Sequence, residues 1–391
     1  MKIDSDDIRI NGTIFLEAVF RKEIGILREK IGAQNNVIYL AGLEVEKGVG
    51  KSALLVHEMR MLEKRPSTPT AYVRCTDSAP NNKPAGFCTS IINSLHSRGW
   101  LWTAFQKQLL DFCKERGGVR LSLPALETMF DTIRWPVDSL PLTLYTHVTD
   151  PTLLAKEFSR WLCEKCNIPE LTSLLFATSY LKQPVDFSSK FSKVRSEDRV
   201  DMYASMLKVL SSSGVGHCYF FLDQWEDTIV STPSSQIGGF SSGMRRVLEA
   251  SANKATFILT LHPDSERKLN TPAAQHLLAI APLDENHFVD VSVLDKRSDE
   301  VIPLAVDYMD HFRTGLPENP TYPLDPQVIR YICFVKEGCI RYILQHLHQG
   351  LKYGALHNHP YVDMGFLFKH HAEIMGSELN ERRYKEFEMM R

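Results

Sequence analysis

Five apolar residues, Val37-Ile38-Tyr39-Leu40-Ala41, run into a glycine-bearing turn that ends Gly48-Val49-Gly50-Lys51-Ser52-Ala53 and opens directly onto Leu54-Leu55-Val56. The first run reads as a buried strand, and the apolar positions after Ser52 recur at helical spacing. The order is therefore strand, loop, helix. Such a loop aims backbone N–H groups and the positive end of a helix dipole at one point, and glycine at 48 and 50 lets the backbone come close to whatever sits there. A phosphate chain suits that site, with Lys51 reaching the β- and γ-phosphates and the Ser52 hydroxyl completing the shell of a Mg2+ ion. The front of the loop departs from the usual spacing, since Val45 stands where a glycine is expected and Gly42 lies three residues before it.

A second motif lies far downstream. Residues 217–227, HCYFFLDQWED, read as an apolar strand that delivers Asp223 at its end. A carboxylate so placed holds Mg2+ beside the phosphate loop. Gln224 follows it, and a glutamine can orient a water but cannot take its proton, so turnover is expected to be slow or to use Glu226. Another buried strand, residues 255–261, carries Thr260 near its end and runs into His262.

Between these motifs the pattern organises the rest of the chain. Residues 14–31 read as a helix carrying Arg21, residues 71–75 as a strand with Thr76 at its end, and residues 87–96 as the helix behind it. Residues 98–196 are largely helical and punctuated by proline, with segments at 100–113, 125–133, 151–166 and 171–181, more chain than one crossover needs. A helix over 199–212 ends at Gly214-Val215-Gly216, and 288–294 alternates as a last core strand. Helical segments follow at 299–312, 325–336, 340–351 and 364–375, then a charged tail expected to be a short exposed helix. The divisions are 1–97 and 197–296 for two parts of an α/β core, 98–196 for a helical insertion, 297–376 for a helical lid and 377–391 for the tail.

Composition narrows the classes. With 391 residues, 43% hydrophobic and a formal charge of −2, the chain can bury a sizeable core, and overall charge draws it to neither nucleic acid nor membrane. No window approaches a membrane span, and Met1-Lys2-Ile3-Asp4-Ser5-Asp6-Asp7 is too acidic for a signal peptide, so a cytoplasmic protein is expected. The eight cysteines sit among apolar neighbours as reduced thiols do. Cys163 and Cys166 form a C-x-x-C pair with no second pair nearby, and the histidines from His346 to His371 lack carboxylate or thiolate partners in sequence. Residues 188–195 are basic with Phe191 interleaved, the composition of a loop that tracks a phosphate backbone, although Glu197 and Asp198 follow at once.

Together these residues resemble an AAA+ P-loop ATPase of the origin-recognition type, over about residues 14–372 without the insertion. They are also similar to the ATP-binding proteins of BREX-like phage-exclusion systems. The resemblance implies an α/β three-layer core with a parallel sheet, a helical lid, ATP and Mg2+ as ligands, and oligomers, homomeric or heteromeric, that assemble on double-stranded DNA or on a DNA-bound protein. It implies that the segment holding Arg21 borders the adenine pocket and that Thr260 or His262 senses the γ-phosphate. It also implies that Arg245 or Arg246, or else Arg267 in Ser265-Glu266-Arg267-Lys268, reaches a neighbouring subunit's nucleotide, and that Arg341, in Gly338-Cys339-Ile340-Arg341, folds the lid onto the phosphates. Most AAA+ proteins carry Glu where this chain has Gln224. Origin-recognition proteins usually continue into a winged-helix domain, for which the residues after 375 are too few. The Asp-Gln-aromatic-Glu run is similar, separately, to STAND signalling ATPases, which implies the alternative of a nucleotide-gated switch that retains ATP.

Overall fold

The computed structural model describes residues 19–42, 48–75, 84–116, 123–133, 135–136, 150–296, 299–315 and 317–390. Five strands, β1 Val37–Ala41, β2 Thr70–Arg74, β3 Cys218–Asp223, β4 Ala255–Leu261 and β5 Phe288–Asp290, form one sheet in the order β2-β3-β4-β1-β5. Every pairing is parallel. Strands β1, β3 and β4 are buried along their whole length, which is why they read as unbroken apolar runs: a parallel sheet covered on both faces leaves no residue for water.

The pleat sorts these strands into two cores. Val37, Tyr39, Phe220, Leu222, Phe257 and Leu259 face one side, packed with the helices Pro84–Ser97, Ser196–Ser212 and Ile237–Ser251. Ile38, Leu40, Tyr219, Phe221 and Ile258 face the other, packed with Arg21–Gly32 and Lys51–Glu63. The chain is thus an α/β protein with a parallel sheet between helical layers.

The described residues between 98 and 196 lie between β2 and β3 in the chain and add no strand to the sheet. Their helices Trp100–Arg116, Leu123–Thr132, Pro151–Cys166 and Glu170–Lys182 pack around an aromatic set including Trp102, Phe105, Phe158, Phe176 and Tyr180. Rings of Phe105 and Tyr180 stack at 5.4 Å, and this packing is continuous with the sheet's first core. Asp150 starts the third of these helices, its Oδ1 accepting from Thr152 N at 2.8 Å and Leu153 N at 3.1 Å. The helices Val301–Phe312, Pro326–Val335 and Ile340–Leu356 join the second core instead.

Several local expectations change. The last strand ends at Asp290 rather than 294. Val291 N still donates to Ala41 O at 2.7 Å, but Leu294 N donates to Gly338 O at 3.1 Å, so the chain is drawn off the sheet toward the C-terminal helices. The first described helix begins at Arg21, and residues 14–18 lie outside the described residues, as does Thr76. Segment 364–375 is two helices, Met364–Lys369 and His371–Met375, broken at His370. The tail does form a helix, Glu381–Met390, but it is docked: Phe387 is 9% exposed and its ring lies 5.4 Å from Tyr331. Among the described residues no helix is long and apolar enough to cross a membrane.

Candidate functional site

Because all strands run the same way, their carboxyl ends open on one edge of the sheet, where open α/β sheets bind ligands. The Gly48–Ser52 loop, Arg74, Asp223 and Thr260 all lie at that edge.

The loop is shaped by its glycines. Gly48 has φ 99° and Gly50 φ 105°, and neither has room for a Cβ: at Gly48 it would meet Cys339 Sγ at 2.9 Å, and at Gly50 Phe20 Cζ at 2.6 Å. Arg341 N donates to Gly48 O at 3.0 Å. The loop is therefore clasped between Phe20, just before the first helix, and the opening turn of Ile340–Leu356, with Val49 buried beneath it. The helix starting at Lys51 presents its N-terminal N–H groups, including that of Ala53, to the same edge. Residues 43–47, including Val45, lie outside the described residues.

Lys51 is only 6% exposed and its Nζ lies 3.9 Å from Glu226 Oε1. Next to it, Ser52 Oγ donates to Asp223 Oδ1 at 2.8 Å. Asp223 is 1% exposed and also accepts from Gln224 N at 3.0 Å on Oδ1 and from Tyr72 Oη at 2.8 Å on Oδ2.

After Asp223 the chain turns sharply. Gln224 takes the left-handed conformation, φ 57°, and starts the helix Trp225–Ser231. Its Oε1 accepts from Arg74 Nε at 2.9 Å, which directs the side chain to β2. The turn brings Glu226 back to Lys51, where its Oε2 accepts from Thr260 Oγ1, and Thr260 Oγ1 accepts from Trp225 N at 3.3 Å. Burial pushes the Glu226 carboxyl up from its ordinary value, more than the Lys51 ammonium and the Thr260 bond bring it down, and Asp223 adds to the rise.

Other expected residues are placed differently. His262 caps the helix Pro263–Leu269: its Nδ1 accepts from Asp264 N at 3.2 Å and Ser265 N at 3.4 Å. Arg245 pairs with Glu249 at 2.7 Å and Arg246 with Asp201 at 3.8 Å, exposed on the helical layer; neither is drawn to the carboxyl edge by these pairs. Arg21 is exposed at the start of its helix, and the neighbouring Phe20 is what touches the loop. Arg341 is exposed and its Cβ and Cδ lie against Gly48. In the basic stretch Phe191 is buried in the core and Arg195 pairs with Glu197 and Asp198, so the interleaved aromatic offers no face for a base to stack on. Cys163 Sγ donates to Ile168 O, and Cys166 Sγ bonds Ser212 Oγ. His346 bonds Ile374 O, His371 bonds Tyr331 Oη and Ser377 O, and His357 stacks on His370.

Tyr72, Arg74, Phe20 and Cys339 are parts of the site that sequence reasoning did not assign. Tyr72 and Arg74 sit two apart on β2, and Arg74 is in register with Asp223. Once β2 is paired beside β3, that spacing places both on one face at the strand end.

No known protein family matches the chain, and no curated protein matches it.

Proposed function

We propose that this chain is a P-loop ATPase of the AAA+ type that binds ATP with Mg2+ and hydrolyses it slowly. The observation that carries the proposal is the Ser52–Asp223 bond, which ties the first turn of the glycine-loop helix to the acid at the end of β3. The residues fit such a ligand: the loop backbone is kept bare at Gly48 and Gly50, Lys51 is buried at a helix N-terminus, and the carboxylate and hydroxyl that would share a cation already touch.

In this reading the N–H groups from Gly48 to Ala53 bind phosphate oxygens and Lys51 turns from Glu226 to the phosphates. Ser52 and Asp223 would hold Mg2+, which when bound would neutralise charge on the phosphate oxygens. Glu226, a buried carboxylate with raised proton affinity steadied by Thr260, accepts the proton of the attacking water. Gln224 is held by Arg74 and cannot take that proton. Arg341, rooted on Gly48, closes over the phosphates from the lid, and Arg21 beside Phe20 borders the base. Nucleotide at a subunit boundary then sets assembly on DNA or on a DNA-bound partner, in the cytoplasm, as the origin-recognition and BREX-like resemblance implies.

One observation favours a second reading. Gln224, directly after Asp223, has its Oε1 held by Arg74 Nε at 2.9 Å, which suits a STAND-like switch that keeps its ATP. Steady-state turnover measured with and without double-stranded DNA, with sedimentation in ATP and ADP, tests the proposal. Multiple turnovers lost in Glu226→Gln support the ATPase. Tight ATP retention without turnover supports the switch. A nucleotide-indifferent monomer rejects both.

A further inference from the structure

The metal-holding carboxylate has a partner on a strand that carries none of the assigned motif residues. Tyr72 lies on β2, paired with Phe221 one strand out from Asp223, and its ring packs against the second core. Strand side chains lean along the strand, so the ring carries its hydroxyl toward the carboxyl end, where it donates to Asp223 Oδ2 at 2.8 Å. The other oxygen, Oδ1, is held by Ser52 Oγ at 2.8 Å and Gln224 N at 3.0 Å. Bonded on both oxygens, the carboxylate has a fixed plane, and Oδ1 is kept facing the Ser52 hydroxyl.

We propose that Tyr72 is a positioning residue for the divalent cation, holding the Asp223 carboxylate plane so that Oδ1 and Ser52 Oγ are presented together. The inference rests on the ATP–Mg2+ reading. The tyrosine acts through Asp223, the group its hydroxyl bonds. Outer partners of metal-binding groups set both orientation and affinity, and their loss typically weakens metal binding about 10- to 100-fold. Tyr72→Phe keeps the ring in the core and deletes only the donor.

The test is calorimetric titration of ATP into the full chain, first in EDTA and then across a Mg2+ series, for the wild type and Tyr72→Phe, with melting temperatures recorded without Mg2+. Tyr72→Met serves if the phenylalanine variant does not fold. The expected result is ATP affinity in EDTA within about twofold of wild type and a Mg2+ concentration for half effect raised about tenfold or more. A variant whose Mg2+ dependence matches the wild type overturns the positioning role while leaving the nucleotide site standing. A variant that loses ATP affinity in EDTA to the same degree overturns it too, because the hydroxyl then supports the loop and not the cation. A wild type that binds no ATP under either condition removes the nucleotide reading itself, and the role of Tyr72 with it.

Discussion

The Ser52 hydroxyl donates to Asp223 Oδ1 across 2.8 Å, joining two residues 171 positions apart at the carboxyl edge of the sheet. Asp223 is nearly inaccessible to water, so the bond also offsets part of the cost of burying a carboxylate. Ser52→Ala is expected to lower the unfolding free energy without nucleotide by about 1–3 kcal/mol, measured in urea, because a buried acceptor loses a donor. The same variant is expected to lose the Mg2+-dependent part of ATP affinity.

Glu226 is expected to show itself in the pH profile. A base works only when ionised, and burial, against the pull of Lys51 and Thr260, raises its affinity for a proton. Turnover should therefore rise with pH through a limb that lies above the ordinary carboxylate value. Glu226→Gln should remove that limb and lower turnover by about 100-fold or more while ATP is still bound.

Gly50 tests the clasp around the loop. An added methyl there meets Phe20 Cζ at 2.6 Å, and the φ of 105° is strained for any side chain. Gly50→Ala should cost about 1–3 kcal/mol of stability and weaken ATP binding together. Combining it with Phe20→Ala relieves the contact but not the backbone strain, so calorimetry on the double variant should recover only part of the affinity.

Arg341 separates a backbone role from a side-chain role. Its N–H holds Gly48 O whatever the side chain, and the side chain is exposed, so Arg341→Ala should leave unfolding within about 0.5 kcal/mol of wild type. A charge-assisted bond to phosphate is worth about 1.5–3 kcal/mol, so ATP affinity or turnover should still fall about tenfold or more.

The core strands were readable because a parallel sheet covered on both faces demands unbroken apolar runs, and Val37–Ala41 and Ala255–Leu261 match the sequence reading end to end. The glycine loop and Asp223 were readable because their residue types are tied to strand and helix ends. Tyr72 and Arg74 were hidden, since their meaning depends on β2 lying beside β3, a pairing that crosses the whole helical insertion. The end of β5 is not legible in the sequence, because alternation continues through Leu294 although the Leu294 N–Gly338 O bond has already drawn the chain off the sheet. The interleaved Phe191 could not be told from a stacking platform until the helix Phe187–Ser192 turned it to the core.

The most direct measurement of the central claim is calorimetric titration of ATP with Mg2+ into the wild-type chain and into Lys51→Ala. The account predicts saturable binding to the wild type that falls at least about 100-fold in the variant, the loss of a buried charge pair with phosphate. Absence of binding to the wild type, or equal binding to both, would contradict it.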